Sequence, residues 1–198
     1  NHIGPFLMNY TTKKEKYFQN AEKANQVFKK IFSNVENPVN KIKTTISKIF
    51  PDYKISGIRE NQRNYALCTI RRHENGKSIP LHKDNVSYEG VEYEVSKINT
   101  QLSCILHLQE TEKGGNLSIY NKRWKKKLEK YREIEFGYNS NIKKKSLSDT
   151  IETKLGDLVI INPNYLHEVK EIQGISDRVT LGMFFGIENK TKKIFFWA

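Results

Sequence analysis

The chain has 198 residues, of which 37% are hydrophobic and 28% charged, as in one soluble globular domain and not in a disordered chain. Lys and Arg outnumber Asp and Glu by 34 to 22, and the net charge of +12 would suit nucleic acid if the basic residues were clustered. They are instead spread over predicted helix faces and loops, which argues against that partner. The apolar runs are far shorter than the roughly 20 residues of a membrane-spanning helix, which excludes a membrane protein.

The only two cysteines, Cys68 and Cys104, each lie in an apolar run. This position excludes a disulfide framework and predicts two buried free thiols in a reducing compartment. The first ten residues lack the order of basic, apolar and small residues that marks a signal peptide. Together these observations predict a cytoplasmic protein.

Two amphipathic packing helices are predicted near the N-terminus, within residues 12–50. Apolar residues recur at spacings of three and four along Tyr17–Ile31 and again along Val39–Ile49. Thr12 and Glu15 have the spacing of a capping box for the first helix. Such apolar stripes are typical of core packing and not of a cofactor site, so we expect these helices to cover the rest of the protein.

From residue 55 onward, short apolar runs alternate with turn residues, a pattern that predicts β-strands. The predicted strands are Tyr65–Arg71, Gln101–Leu108, Asn116–Tyr120, Asp157–Asn162, Val179–Phe185 and Ile194–Trp197. Because no long helix separates consecutive strands, the pattern favours an antiparallel jelly roll, the double-stranded β-helix of cupins, over parallel βαβ units. We predict a mainly β single domain over 1–198, with its core at 55–198 and an insertion at about 121–153 that has one helix around Trp124–Glu133.

A candidate metal site comes from three residues. His82 and Asp84 stand two apart, the spacing that puts an imidazole and a carboxylate on one face of a strand. Further on, a predicted buried strand and a short loop bring His167 to the end of the sheet. Two histidines and one carboxylate form the facial triad of non-haem Fe(II) oxygenases, although zinc accepts the same ligand types.

Arg178 and Thr180 favour iron over zinc. They also stand two apart, on an apolar predicted strand. An arginine inside a sheet needs an anion, and a guanidinium beside a hydroxyl suits a carboxylate. A zinc hydrolase has no such requirement.

The ordered set of motifs resembles the 2-oxoglutarate-dependent Fe(II) oxygenases with a prolyl-hydroxylase-like core, from about Tyr65 to Gly186. The resemblance implies that the two histidines and Asp84 hold Fe(II) and form the catalytic centre, with O2 as oxidant. It also implies that Arg178 with Thr180 binds the distal carboxylate of 2-oxoglutarate.

Two histidines depart from the prolyl-hydroxylase pattern. His73 stands where those enzymes often have a tyrosine, and His107 replaces the tyrosine of a Tyr-Leu-Asn motif. We predict that both belong to the cosubstrate site, with His107 donating to the cosubstrate carboxylate. The alternative for each is a polar residue without a role. The departure also weakens the case for a peptidyl-proline substrate.

The run Gly114–Trp124, with Gly137–Tyr138 downstream, resembles the small-molecule branch that hydroxylates or halogenates amino acids and related natural products. Halogenases of that branch carry a small residue in place of the metal carboxylate. Asp84 fills the position here, so hydroxylation is expected. Tyr88 and Trp124 are candidate substrate residues. For Trp124 the alternative is an anchor that packs the insertion on the barrel.

We therefore predict a dioxygenase, dependent on Fe(II) and 2-oxoglutarate, that hydroxylates an unactivated C–H bond of a free amino acid or an amino-acid-like small molecule. Two alternatives stay open. One is a peptidyl hydroxylase or nucleic-acid demethylase of the same superfamily, against which the short chain and the lack of a recognisable nucleic-acid module argue. The other is a non-catalytic jelly-roll binding module, against which Arg178 argues, because such a module has little use for a charge inside an apolar strand.

Overall fold

The computed structural model describes residues 1–134 and 136–198. Its α-helices are α1 (Lys14–Ile31), α2 (Pro38–Ile49) and α3 (Val86–Glu89), and 3-10 helices lie at Leu7–Tyr10, Glu94–Lys97, Lys126–Tyr131 and Ser140–Lys143. None of the helices in these ranges is long and apolar enough to cross a membrane. Strands account for 36% of the residues and helices for 26%, which confirms the prediction of a mainly β protein.

The described strands form two main sheets and two short two-stranded sheets. In chain order they are β1 (His2–Ile3), β2 (Lys54–Ser56), β3 (Arg59–Glu60), β4 (Arg63–Asn64), β5 (Thr69–His73), β6 (Ile79–His82), β7 (Thr100–Gln109), β8 (Lys113–Gly114), β9 (Leu117–Arg123), β10 (Ser148–Ile151), β11 (Leu158–Ile161), β12 (Tyr165–Val169), β13 (Ile172–Gln173), β14 (Arg178–Glu188) and β15 (Lys193–Trp197). The larger sheet has seven strands and centres on β14, which pairs with β5, β7 and β15. The smaller sheet has the order β10-β9-β12-β6, and the two-stranded sheets pair β3 with β4 and β8 with β13. Each described pairing is antiparallel except that of β15 with β2.

The helices α1 and α2 cover one face of the larger sheet. Phe28 of α1 and Ile42 of α2 pack in one buried cluster with Leu181 and Phe185 of β14. The start of α2 follows its sequence signals, because the Asn37 side chain accepts a hydrogen bond from the Val39 N–H at 2.9 Å and Pro38 occupies the first turn.

The start of α1 differs from the sequence prediction. Its N-cap is Lys13, without a side-chain cap, so the predicted capping box of Thr12 and Glu15 is wrong. The Glu15 carboxylate lies 2.6 Å from the guanidinium of Arg63 instead. An ion pair with another element has therefore replaced the local hydrogen bond.

The other face of the larger sheet meets the smaller sheet. Ile105 and Ile161 of the larger sheet pack in one apolar cluster with Leu117 and Val169 of the smaller sheet. The space between the two sheets is therefore closed by apolar contacts on one side. The candidate site lies in the remaining part of this space.

The segment predicted as an insertion packs on the outer side of the smaller sheet. Leu128, Tyr138 and Ile142 cluster there with Tyr120 and Leu166 of the sheet. The helix predicted around residues 124–133 is a 3-10 helix over residues 126–131. The sequence did not predict β10, which lies in this segment and pairs with β9 as an edge strand.

Candidate active site

His82 and His167 meet across neighbouring strands of the smaller sheet. His82 is the last residue of β6, His167 lies in the middle of β12, and the two are direct antiparallel partners. Their ring centroids are consequently 4.1 Å apart. His167 thus lies in the middle of a strand and not at the end of the sheet, where it was predicted from the sequence.

Asp84 reaches the same point from a loop. It lies two residues beyond the end of β6, where its N–H donates a 2.9 Å hydrogen bond to the carbonyl of Pro163. Its Oδ2 atom is 3.9 Å from Nε2 of His82 and 3.7 Å from Nε2 of His167. The structure therefore brings the three predicted residues together, with donor atoms that all lie within 4.8 Å of one another. His82 and Asp84 were predicted to share one face of a strand. Asp84 instead lies outside the strand and is positioned by this loop contact.

The second nitrogen of each imidazole is engaged by the backbone. Nδ1 of His82 donates to the carbonyl of Pro80, and Nδ1 of His167 donates to the carbonyl of Tyr165, both at 2.8 Å. A proton held at Nδ1 leaves the lone pair on Nε2, the atom that faces Asp84. Both rings are thus fixed in the tautomer that a metal ion requires.

The electrostatics of the cluster also suit a cation. Burial lowers the pKa of His82 and of His167 to about 4, so both imidazoles are neutral at pH 7. Burial raises the pKa of Asp84, while His167 and Arg71 act in the opposite direction. Two neutral imidazoles and one carboxylate are a donor set that fits a divalent metal ion of the first transition row.

Arg178 and Thr180 lie on β14 and line a narrow inner cavity next to this cluster. Arg178 is 4% exposed, and its Nε atom has no hydrogen-bond partner among the residues that the structure describes. Burial and the nearby Arg71 lower its pKa to about 10, so it is still charged at pH 7. A buried guanidinium with an unsatisfied donor beside a hydroxyl fits the carboxylate of a small acid.

The two remaining predicted histidines flank Arg178. His73 ends β5 directly opposite Arg178 and lines the cavity, and its Nδ1 atom has no partner within the described chain. His107 lies on β7 opposite Thr180, with Nδ1 at 3.0 Å from the hydroxyl of Thr153. Burial and the charge of Arg178 lower the pKa of both histidines to about 4. Both therefore stand beside Arg178 as neutral rings.

A larger outer cavity of about 640 Å³ opens on the other side of His82 and Asp84. Its wall includes Phe6 and Met8 of the N-terminal segment, together with Arg71 of β5. No role was predicted for these three residues from the sequence pattern. A signal for Arg71 was present, since it stands two residues before His73 as Arg178 stands two before Thr180, but the predicted strand ended at Arg71.

Tyr88, one of the two candidate substrate residues, lines the outer cavity. Trp124 lies behind it, with its ring centroid 4.6 Å from that of Tyr88 and its Nε1–H donating to Glu129 at 2.7 Å. The ammonium group of Lys83 lies 4.8 Å from the Trp124 ring and 2.6 Å from the carboxylate of Glu89. Trp124 thereby supports two side chains of the cavity wall, Tyr88 and Lys83.

Similarity to known proteins extends over most of the chain. The chain is 27% identical over 181 residues to leucinostatins biosynthesis cluster protein S of Purpureocillium lilacinum. The matched region covers 87% of this chain and 73% of the relative. The crystal structure of an N-substituted L-amino acid dioxygenase from Burkholderia ambifaria AMMD superposes with a TM-score of 0.64 at 19% identity, over 94% of this chain and 71% of that chain. Its complex with alpha-KG gives the same values. At this identity the likeness shows a shared fold.

The family assignment comes from a family model described as carrier-protein-independent halogenase WelO5, which matches residues 1–198. This match confirms the resemblance to Fe(II) and 2-oxoglutarate-dependent oxygenases, and with it the predicted use of Fe(II), 2-oxoglutarate and O2. The chain belongs to the WelO5 family of Fe(II) and 2-oxoglutarate-dependent enzymes.

Proposed function

We propose that the protein is a dioxygenase that hydroxylates an unactivated C–H bond of an amino-acid-like small molecule, and does not halogenate it. The observation that carries this proposal is the carboxylate of Asp84, which lies within 4 Å of Nε2 of both His82 and His167. Halogenases of the branch that the sequence resembles have a small residue at this position, which leaves room for a halide ion. Asp84 occupies that room.

His82, Asp84 and His167 would hold the iron, and Arg178 with Thr180 would bind the cosubstrate through its distal carboxylate. Bound Fe(II) and 2-oxoglutarate supply the oxidising chemistry, with O2, that breaks a C–H bond. The protein fixes the imidazole rings through their backbone hydrogen bonds and keeps their Nε2 atoms unprotonated. We also assign His73 and His107 to the cosubstrate site, because both adjoin Arg178.

The walls of the inner cavity keep water away from the reacting atoms. Ile105, Leu117, Met183 and Phe184 line it beside Arg178. A dry cavity strengthens the ion pair between a guanidinium and a carboxylate and prevents oxidation of the protein itself.

We interpret the two sheets around this cavity as the double-stranded β-helix of a single domain. The buried free thiols of Cys68 and Cys104 support a reducing, cytoplasmic location.

The outer cavity indicates the size of the substrate. Its volume of about 640 Å³ is within the range of pockets that hold drug-sized ligands. It is therefore larger than a free amino acid requires, and it favours an amino acid derivative. The names of the similar proteins, a dioxygenase of N-substituted L-amino acids and a biosynthesis cluster protein, support a small-molecule substrate.

Turnover of a substrate panel in the presence of chloride tests the proposal. The panel contains amino acids and their N-acyl derivatives, with a proline-rich peptide and a methylated oligonucleotide for the alternative activities. We expect succinate release and a product that has gained one oxygen atom with a member of the small-molecule set. A chlorinated product, or turnover of the peptide or oligonucleotide alone, would contradict the proposal.

A further inference from the structure

Arg71 is a second arginine at the candidate site, where its charge acts on Asp84 from beyond ion-pair distance. Its side chain lines both the inner and the outer cavity, and its guanidinium carbon lies 4.0 Å from the centroid of the Phe6 ring. Within the described residues, no carboxylate lies within 4.0 Å of this guanidinium. The cation is thus held in place by an aromatic ring and left open toward the cavity.

Two other cations of the outer cavity, Lys83 and Arg132, are already compensated. The ammonium group of Lys83 lies 2.6 Å from the Glu89 carboxylate. Arg132 lies 3.4 Å from the same carboxylate and 3.2 Å from that of Glu129. Among the described lysines and arginines, Arg71 is the one that lines both cavities, so an incoming substrate meets its guanidinium next to the candidate metal ligands, whereas Lys13 and the terminal ammonium of Asn1 lie in the outer wall alone.

Binding of Fe(II) and 2-oxoglutarate leaves the positive charge of Arg71 uncompensated, a step that rests on the proposed function. The two positive charges of Fe(II) are offset by the two negative charges of 2-oxoglutarate, and the negative charge of Asp84 is offset by the positive charge of Arg178. Histidines that hold a metal ion do so as neutral imidazoles, and burial lowers the pKa of His73 and His107 to about 4, so none of the four adds a charge at pH 7. The positive charge of Arg71 remains, and a half-buried charge without a counter-ion is unfavourable.

We propose that Arg71 binds a carboxylate of the substrate, and that the substrate is an amino acid derivative with a free carboxylate and no free amine. A guanidinium binds a carboxylate through two parallel hydrogen bonds, which also orients the molecule. A free ammonium group would need an anion of its own, whereas Glu89 is already shared between Lys83 and Arg132. Phe6, Met8 and Phe136 supply apolar wall for the group that replaces the amine proton.

Binding to the anaerobic enzyme loaded with Fe(II) and 2-oxoglutarate tests the proposal. The probes are three matched sets, built on leucine, phenylalanine and tryptophan: the N-acetyl amino acid, its primary amide and the free amino acid. Each is titrated while the weak visible charge-transfer band of the chelate is followed. We expect at least one N-acetyl acid to perturb the band at a concentration about tenfold lower than its amide and its free amino acid, a preference of about 1.4 kcal/mol.

Variants assign that preference to Arg71. Arg71→Gln should abolish the preference for the acid, Arg71→Lys should keep part of it through the retained charge, and Arg59→Gln, at an exposed arginine bonded to Asn64, should leave it unchanged. Thermal melting of each variant confirms that it is folded. Equal binding of acid and amide by the wild type, no perturbation by any probe, or an unchanged preference in Arg71→Gln would overturn the proposal.

Failure of the proposed function has a different signature. Loss of the band in Arg71→Gln alone would show that Arg71 binds 2-oxoglutarate, which overturns the inference and leaves the proposed function intact. Absence of the band in the wild type would overturn both.

Discussion

The imidazoles of the candidate metal ligands His82 and His167 are oriented by the backbone of their own strands. Each Nδ1–H donates to the carbonyl two residues earlier, at 2.8 Å, and this bond fixes both the tautomer and the ring plane. In the proposed function the carboxylate of Asp84 completes the donor set, and its presence favours hydroxylation over halogenation.

Asp84→Gly tests that role. Loss of the carboxylate removes one of three protein donors, so we expect hydroxylation to fall by at least about 100-fold, the upper end of the loss caused by outer-shell groups. Product analysis by mass spectrometry in the presence of chloride measures the loss and also detects any chlorinated product. Hydroxylation at the wild-type rate in this variant would show that Asp84 is not a ligand.

Glu168, next to His167, makes a charged network on the opposite face of β12. Although burial opposes ionisation, hydrogen bonds from Lys143, Lys170 and Tyr120 lower the pKa of Glu168 to about 2. Since this pKa is below the ordinary glutamate value of 4.5, the network stabilises the fold above about pH 4.5, and the stabilisation is lost as the pH falls toward 2.

We expect Glu168→Gln to lower the free energy of unfolding by about 2 kcal/mol at pH 7, a value reduced for partial exposure of the lysines. Denaturant unfolding at pH 7 and pH 3 should show that the difference shrinks at the lower pH. The matched control is Glu36→Gln, which removes an exposed ion pair with Lys41 and should change stability by less than about 0.5 kcal/mol. An equal effect of the two substitutions would contradict the role of the network.

Single residues differ in how far the sequence reveals them. Arg178 was predicted because a charged residue stands out in an apolar strand. Arg71 was missed because it is followed by Arg72 and His73, and three polar residues in a row resemble the end of a strand. The pairing of β5 with both β1 and β14 extends the strand through these residues, and such tertiary pairing is not visible in local sequence.

Among the elements, the N-terminal segment has the most unexpected position. The short strand β1 pairs with β5, and the segment after it carries Phe6 and Met8 to the wall of the outer cavity. Gly4 makes this path possible, because its φ of +88° is unfavourable for other residues and an added Cβ would lie 2.4 Å from the carbonyl oxygen of Cys68. The predicted packing helices therefore begin only after a segment that shapes the candidate site.

Gly4→Ala should lower the free energy of unfolding by about 2 kcal/mol and weaken substrate binding more than 2-oxoglutarate binding. The reason is that the segment borders the outer cavity more extensively than the inner one. Gly57→Ala is the control, since no described atom lies within 4 Å of the Cβ that it adds. Denaturant unfolding measures the change in stability, and anaerobic titrations with 2-oxoglutarate and then with substrate compare the two affinities. Equal stability of the two variants would contradict the account.

Long apolar strands were predicted better than short polar ones. The predicted runs around β7, β11, β14 and β15 match the structure within a few residues. The strand β12, which carries the candidate ligand His167, was not predicted, because the mixed polar run Tyr165–Val169 lacks a strand signal, and β6, which contains Pro80, was inferred from the spacing of His82 and Asp84 alone. The sequence thus predicted the candidate ligands from their spacing and order, and the fold brings them together through a strand pair that it did not predict.

For the whole molecule, the candidate site joins the two sheets. Arg178 and Thr180 belong to the larger sheet, whereas His82 and His167 belong to the smaller one. A ligand that contacts both sets links the sheets, so its binding energy adds to the stability of the folded state. The stability of the molecule should therefore depend on the occupancy of the site.

Anaerobic loading with Fe(II) and 2-oxoglutarate together should raise the melting temperature by roughly 5–10 °C, since ligand at 100 times its Kd contributes about 2.7 kcal/mol. Differential scanning calorimetry of the free and the loaded protein measures this shift. Arg178→Ala should reduce the shift that 2-oxoglutarate adds and keep the part due to the metal. No shift under full loading would show that these groups do not bind between the sheets.

The central claim is that the histidine and carboxylate cluster holds Fe(II) and that Arg178 presents 2-oxoglutarate to it. The most direct test is anaerobic titration of the metal-free protein with Fe(II) and then with 2-oxoglutarate, followed through the weak visible charge-transfer band of the chelate. We predict a band that saturates at one equivalent of each and is lost in Arg178→Ala. A protein that binds Fe(II) yet shows no band, or an undiminished band in Arg178→Ala, would contradict this claim.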